Sequence, residues 1–371
     1  MKESKHLTVK YHGRVVGTLA ETKTGYGAFQ YDKEWLEDGF SISPFSIPLE
    51  GRVFLPKSDV FEGLFGVFSD SLPDGWGRLL VDRMLLKEGI QPAEVRAVTR
   101  LGIVGSSGMG ALEYVPELWP QEEKETFNLE QLAKECELIF KDKECGNLDE
   151  LFQRGGSPGG ARPKVLVQIE NEPWLVKFPS PYDNSSIGKE EFDYMRCASL
   201  CGIDVPEVQL FPSVTCEGYF GVKRFDRVNG KKVHMITVSG LLETSHRIPN
   251  LDYHDLMKLT YILTKDSRQM EELYRRMCFN VFAHNRDDHS KNFSYFYGEE
   301  KKCWKLTPAY DLTYSNSIGG EHATCVNGNG KNPRMVDLLE VGKATGLSAE
   351  KLKSIAEEIK EIVKAELGEY L

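Results

Sequence analysis

His284-Asn285-Arg286-Asp287-Asp288-His289-Ser290-Lys291-Asn292 sets an aspartate and an asparagine five residues apart, and Pro308-Ala309-Tyr310-Asp311-Leu312 adds a second acid downstream. Two acids and an amide in this order are what phosphoryl transfer needs. Asp287 would orient the attacking hydroxyl and accept its proton, while Asn292 and Asp311 hold the magnesium that neutralises the charge developing on ATP. Asp288 competes for the role of base, but Asp287 keeps the five-residue step to Asn292. A short acid–amide pair is weak evidence by itself, so the reading depends on what lies upstream.

Upstream stands Gly155-Gly156-Ser157-Pro158-Gly159-Gly160-Ala161, a loop of small residues. Glycines let backbone amides approach phosphate oxygens and present them with positive dipole ends. Ser157, Gly159 and Gly160 are the candidate nucleotide contacts. The run Lys164-Val165-Leu166-Val167-Gln168-Ile169 reads as a strand, Glu172-Pro173 as a turn, and Trp174-Leu175-Val176-Lys177-Phe178 as the returning strand. Lys177 near its end can meet the α/β-phosphates as a point charge. From Gly188 to Ala198 the pattern turns helical, with Phe192, Met195 and Ala198-Ser199 on one side and Glu191 left to face Lys177. Each feature also has a bland reading: a flexible turn, a solvated lysine, an acidic helix face. Loop, lysine, glutamate, aspartate, asparagine and aspartate follow the order of protein kinases, which chance supplies far less readily.

The chain of 371 residues suits one two-lobed unit or two to three subdomains, and a hydrophobic content of 40% suffices for a substantial core. No long apolar run suggests a signal peptide or membrane span, and eight cysteines without pairing pattern favour a reducing cytoplasm. Cys197 and Cys201 lie one helical turn apart, but with no second pair at finger-like spacing they read as buried small hydrophobes. The formal net charge of −10 argues against autonomous nucleic-acid binding.

Three regions are expected: 1–120, 121–225 with the glycine loop, and a mainly helical 226–371. Leu7–Tyr11 and Val15–Leu19 read as a hairpin about Gly13, and a helix is expected from Trp76 to Lys87. Glu122–Glu125 reads as a charged linker, and Asn128 as the cap of a helix from Leu129 to Phe140. Further helices are expected over Leu251–Thr264, Arg268–His284 and Ser348–Tyr370, the last with Leu352, Ile355, Ile359, Ile362 and Val363 on one stripe. The glycine-rich run Gly102–Gly110 is a decoy. Ala111-Leu112-Glu113-Tyr114-Val115 after it looks like a strand, whereas a phosphate loop needs a helix N-terminus there.

Ser157–Lys164, the Val222-Lys223-Arg224-Phe225-Asp226-Arg227 segment, Asp287 to Asn292 and Ala309-Tyr310-Asp311 together resemble the HipA family of serine/threonine kinase toxins. Phe68–Arg78, with Leu72-Pro73-Asp74-Gly75, and Gly108–Tyr114 resemble that family's N-terminal subdomain, so the resemblance covers nearly the whole chain. It implies an α+β fold: a two-lobed, protein-kinase-like body with a strand-rich N-terminal subdomain and a mainly helical C-terminal lobe. ATP and Mg2+ would be the cofactors. The backbone from Lys223 to Phe225 would meet the adenine edge, with the adenine pocket at the junction of the lobes. Lys291 would sit near the transferred phosphate, and Ser157 matches the position that the family autophosphorylates. His289 belongs to the loop near the phosphates, or else is a structural histidine bonded to a carbonyl. The implied partners are a protein substrate, in some members an aminoacyl-tRNA synthetase, and a HipB-like helix-turn-helix antitoxin through which DNA contact is indirect. No membrane contact is implied. A small-molecule phosphotransferase and a non-catalytic co-repressor module are the competing readings. The Leu72–Gly75 signature disfavours the first, and competent residues at every catalytic position disfavour the second.

Overall fold

The computed structural model describes residues 5–119, 128–141, 143, 148–155 and 160–371. The charged stretch Glu122–Glu125, and Ser157 and Gly159 of the glycine loop, lie outside the described residues.

Alternation of apolar and polar residues builds the first sheet. Strands β1 (His6–Tyr11) and β2 (Arg14–Glu21) form the expected hairpin, with Val9 buried against Val16 and Leu19. Strands β3 (Gly27–Tyr31), β4 (Val53–Phe54) and β5 (Leu112–Val115) complete an antiparallel sheet of order β4-β3-β2-β1-β5. A second sheet, of order β6-β7-β9-β8, holds β6 (Lys164–Ile169), β7 (Glu172–Lys177), β8 (Val208–Phe211) and β9 (Tyr219–Lys223). Its first hairpin corrects the sequence reading. The turn is Glu170-Asn171, both at positive φ, and Glu172-Pro173 belongs to β7, opposite Ile169 and Gln168. Left-handed backbone at both central residues is the geometry that matches strand twist in a two-residue hairpin.

The rest is mainly helical: Tyr253–Thr264, Ser267–Phe282, Met335–Gly342 and Ala349–Leu367. The expected cap is in place, with Asn128 accepting from Gln131 N–H at 3.1 Å, and Ser348 caps the last helix in the same way, accepting from Lys351 N–H at 3.2 Å. Along the last helix Leu352, Ile355, Ile359 and Val363 are buried. Among the described residues no helix is long and apolar enough to cross a membrane.

Two hydrophobic cores result. One unites the first sheet with the helical lobe, and the other lies under the β6–β9 sheet. The Gly75–Lys87 helix belongs to the second: Trp76, Leu80 and Leu85 are buried with Val165 and Val176. Burying a side chain of this size is worth about 1.5–3 kcal/mol. The N-terminal hundred-odd residues are thus built into both lobes. Polar contacts across the same seam include Thr237 N–H to Asp70 at 2.7 Å, Gly110 N–H to Asp226 at 2.9 Å and Lys232 Nζ to Glu113 at 2.6 Å.

Candidate active site

Lys177 ends β7 and Glu191 lies in the Ile187–Leu200 helix packed against that sheet. The helix register differs from expectation. Its buried face carries Glu191, Tyr194, Met195 and Ala198, while Ser199 is exposed. Glu191 therefore shares the apolar face instead of opposing it, and its charge is tolerated there because Lys177 Nζ donates to it. The same ammonium lies 2.5 Å from Asp311 Oδ1. Burial alone would lower the Lys177 pKa, but the Asp311 and Glu191 charges win and raise it. In return Lys177 holds the Asp311 carboxyl well below the usual carboxylate range.

The segment after the Ser267–Phe282 helix presents the acidic pair. Asp287 faces the cleft with its side chain 56% exposed. Asp288 is 1% exposed and turned into the lobe, accepting from Tyr253 Oη–H at 2.9 Å, His322 Nδ1 at 3.0 Å and Thr324 N–H at 3.2 Å. The two residues are thus told apart by surroundings as well as spacing. Partial burial, with Asp311 and Asp288 nearby, raises the Asp287 pKa against the pull of His289. Asn292 donates Nδ2–H to the Asp287 carbonyl at 2.8 Å, which leaves its amide oxygen as an acceptor.

One cavity of about 440 Å³ is lined by Asp287, His289, Lys291, Asn292, Asp311, Lys177, Glu191, Gly160, Lys223 and Phe225. That volume lies in the range of small-molecule and cofactor sites. Apolar walls come from Leu166, Leu175, Phe220, Val222 and Tyr310. The Lys223 side chain turns away to Glu172 (3.4 Å) and Glu207 (3.6 Å). The Lys223 and Arg224 amides donate to the Glu207 and Pro173 carbonyls, so those two donors are not available to a base edge in the cavity. Phe225 packs on Tyr310, ring centroids 5.3 Å apart. His289 approaches Asp287 at 3.9 Å and His246 at 5.2 Å between rings.

Sequence reading missed several cavity residues. Lys164 faces the cavity from β6, and burial beside Lys177 pushes its pKa down to about 8. Asp70 and Asp74 enter from the N-terminal region; burial pushes Asp70 up to about 6 against the pull of Lys291. The decoy run is more than a turn, since Met109 lines the same cavity. The signal that could have found Asp74 was the Pro73-Asp74-Gly75 step at a helix start. Its partners, far away in sequence, left no local trace.

Among the described residues no three His, Cys, Asp or Glu cluster as a metal cage. Asp311 and Asn292 both line the cavity, and each carries an oxygen donor. Oxygen donors of this kind suit Mg2+, a hard cation, and these two residues would hold it.

Comparison with known proteins bears on the family and the fold. Residues 156–367 match the HipA-like C-terminal domain and residues 7–115 the HipA N-terminal domain. Y4dM of Sinorhizobium fredii, by name a candidate kinase, is 26% identical over 392 aligned positions, covering 98% of this chain and 87% of its own length. The serine/threonine-protein kinase toxin HipA of Shewanella oneidensis is 22% identical over 360 positions, covering 84% of this chain and 76% of that one. The solved complex of HipA, HipB and operator DNA from Shewanella oneidensis MR-1 contains a chain with the same fold. Its TM-score is 0.72 at 20% identity, with 98% of this chain and 90% of that chain covered. The C-terminal match alone spans more than half of the sequence, and on that ground the chain belongs to the HipA family.

Proposed function

We propose that this chain is an ATP- and Mg2+-dependent serine/threonine protein kinase that acts as a toxin. The observation that carries the reading is Lys177, largely buried between Glu191 and Asp311 in a cavity that Asp287 and Asn292 also line. Asp287 accepts the proton of a substrate serine or threonine hydroxyl, and its raised pKa moves it toward the acceptor's working range. Lys177, held by Glu191, aligns the α/β-phosphates, and Lys164 adds a second positive charge beside it. When bound, Mg2+ supplies the charge neutralisation that the transferred phosphoryl group needs, and Asn292 and Asp311 would hold it. Lys291 and His289 face the transferred phosphate and Phe225 borders the base, while the Gly160 N–H is already given to Asp74, so Gly160 offers the phosphates room in the cavity wall and no free amide.

The wider reading follows the family. The chain arrests growth by phosphorylating a cellular protein, an aminoacyl-tRNA synthetase being one candidate, and works in the cytoplasm. A HipB-like helix-turn-helix antitoxin neutralises it and carries any DNA contact. Ser157 is the site of inactivating autophosphorylation, since phosphate there adds about −1.5 to −2 charge where those of ATP must sit. Arg162, a cation that could hold a displaced loop, now lies 3.4 Å from Asp183.

The test is ATP binding with and without Mg2+, paired with expression in a host lacking the antitoxin. Wild type should bind Mg-ATP and arrest growth. Asp311→Asn should lose the magnesium-dependent part of binding, and Asp287→Asn should bind but not arrest. Equal toxicity of wild type and Asp287→Asn would rule out a catalytic toxin. Mass spectrometry of protein incubated with Mg-ATP tests Ser157; full activity in a Ser157-phosphorylated sample would exclude self-inactivation.

A further inference from the structure

An aspartate at a helix start normally accepts from its own helix, a cap worth about 1 kcal/mol. Asp74 occupies that position ahead of the Gly75–Lys87 helix, with φ −117° and ψ 177°, yet makes no side-chain cap. Its carboxylate crosses the cavity instead. One oxygen accepts from the Gly160 N–H at the end of the glycine loop, and the other lies 2.7 Å from Lys291 Nζ.

The neighbours of Asp74 make this a fixed arrangement. Trp76 N–H donates to the Gly160 carbonyl at 2.9 Å, and Trp76 Nε1–H to the Lys164 carbonyl at 3.0 Å. Gly75 holds φ +46°, and a Cβ there would stand 2.4 Å from the Gly160 carbonyl oxygen, so a side chain would force the two segments apart. At the other end, Tyr310 Oη–H donates to the Lys291 carbonyl at 2.6 Å. Lys291 thus has its backbone set by Tyr310 and its ammonium set by Asp74. The pair is largely buried, at 19% and 29% side-chain exposure. Burial would raise the Asp74 pKa, but the Lys291 charge outweighs it and keeps the carboxyl ionised.

From this geometry we infer that Asp74 is a positioning residue for phosphoryl transfer, contributed by the N-terminal region, which aims Lys291 at the phosphoryl group and anchors the end of the glycine loop. The inference rests on the kinase reading above. It makes the N-terminal region a working part of the catalytic centre, because a free Lys291 would sample orientations that do not meet the transferred group.

The experiment measures initial rates of 32P transfer from ATP to a pooled serine/threonine peptide library at varied ATP. Asp74→Asn keeps an acceptor for Gly160 but sets an amide against the Lys291 ammonium. Its kcat should fall about ten- to a hundredfold with KM for ATP within about threefold, the mark of lost orientation. In a Lys291→Ala background the same change should alter kcat by less than about twofold, because the two residues act as one unit. A merely structural role would give additive losses and would overturn the proposal. So would wild-type kinetics in Asp74→Asn, or a rise in rate, which would mean that Asp74 occupies a phosphate position and competes with nucleotide. Asp74→Ser, a residue suited to a helix N-cap, replaces Asp74→Asn if that variant does not fold. Failure of the kinase reading itself looks different: wild type would transfer no label.

Discussion

Asp287 and Asp288 are chemically identical neighbours placed in opposite surroundings. Asp287 looks into the cavity, while Asp288 joins Tyr253, His322 and Thr324 inside the lobe. Asp287→Asn should lower phosphoryl transfer by about 10²- to 10⁴-fold, the worth of a general base, with the melting temperature unchanged. Asp288→Ala should cost about 3–5 kcal/mol of stability, because His322 and its neighbours lose a buried acceptor. Denaturant unfolding of both variants checks the pair; an early-melting Asp287→Asn beside a fully stable Asp288→Ala would reverse the two roles. The spacing to Asn292 made Asp287 legible in the sequence. The pairing of Asp74 was not legible, because its bond to Lys291 spans 217 residues and tertiary pairing over that distance leaves no periodic signal.

At the scale of elements, the sequence is readable where one local force dominates and misread where two compete. The hairpin over β6 and β7 was visible as two apolar runs, but the proline drew the turn to Glu172-Pro173. The chain turns two residues earlier, at Glu170 and Asn171, with φ of 52° and 65°. Left-handed backbone suits asparagine and glycine far better than glutamate. Glu170→Asn combined with Asn171→Gly should therefore stabilise the protein by about 1 kcal/mol, read as a higher denaturation midpoint. A loss of stability would show that Glu170 has a role beyond the turn. The Ile187–Leu200 helix shows the same competition. Glu191 meets Lys177 as its position suggested, but the apolar pattern put it opposite the buried face, and it is 2% exposed on that face, because the cation that neutralises it arrives from another element.

Across the whole molecule the N-terminal region and the kinase-like lobes share their cores, and one buried histidine lies on that seam. His234 is 1% exposed, packed near Phe40 and Trp304, with Nε2 2.9 Å from the Ile42 carbonyl. A carbonyl only accepts, so Nε2 carries the proton, and Nδ1 has no hydrogen-bond partner among the described residues. Protonating Nδ1 would put a charge against aromatic rings with nothing to receive its N–H. Burial accordingly pushes the His234 pKa down to about 4 from an ordinary 6.5. Between those values the unfolded chain binds the proton and the folded chain does not. Stability from this group is therefore complete above pH 6.5 and is lost as pH falls toward 4, by at most on the order of 3 kcal/mol. His234→Phe removes the titrating group and keeps an aromatic ring, at a pH-independent loss of about 1 kcal/mol for the Ile42 bond. Urea unfolding of both proteins at several pH values between 4 and 7.5 is the check. The stability difference in favour of wild type should shrink steadily below pH 6.5. A difference that stays constant with pH would mean that His234 titrates in the folded protein as it does in the unfolded chain, and that the seam between the N-terminal region and the lobes is open to water at this point.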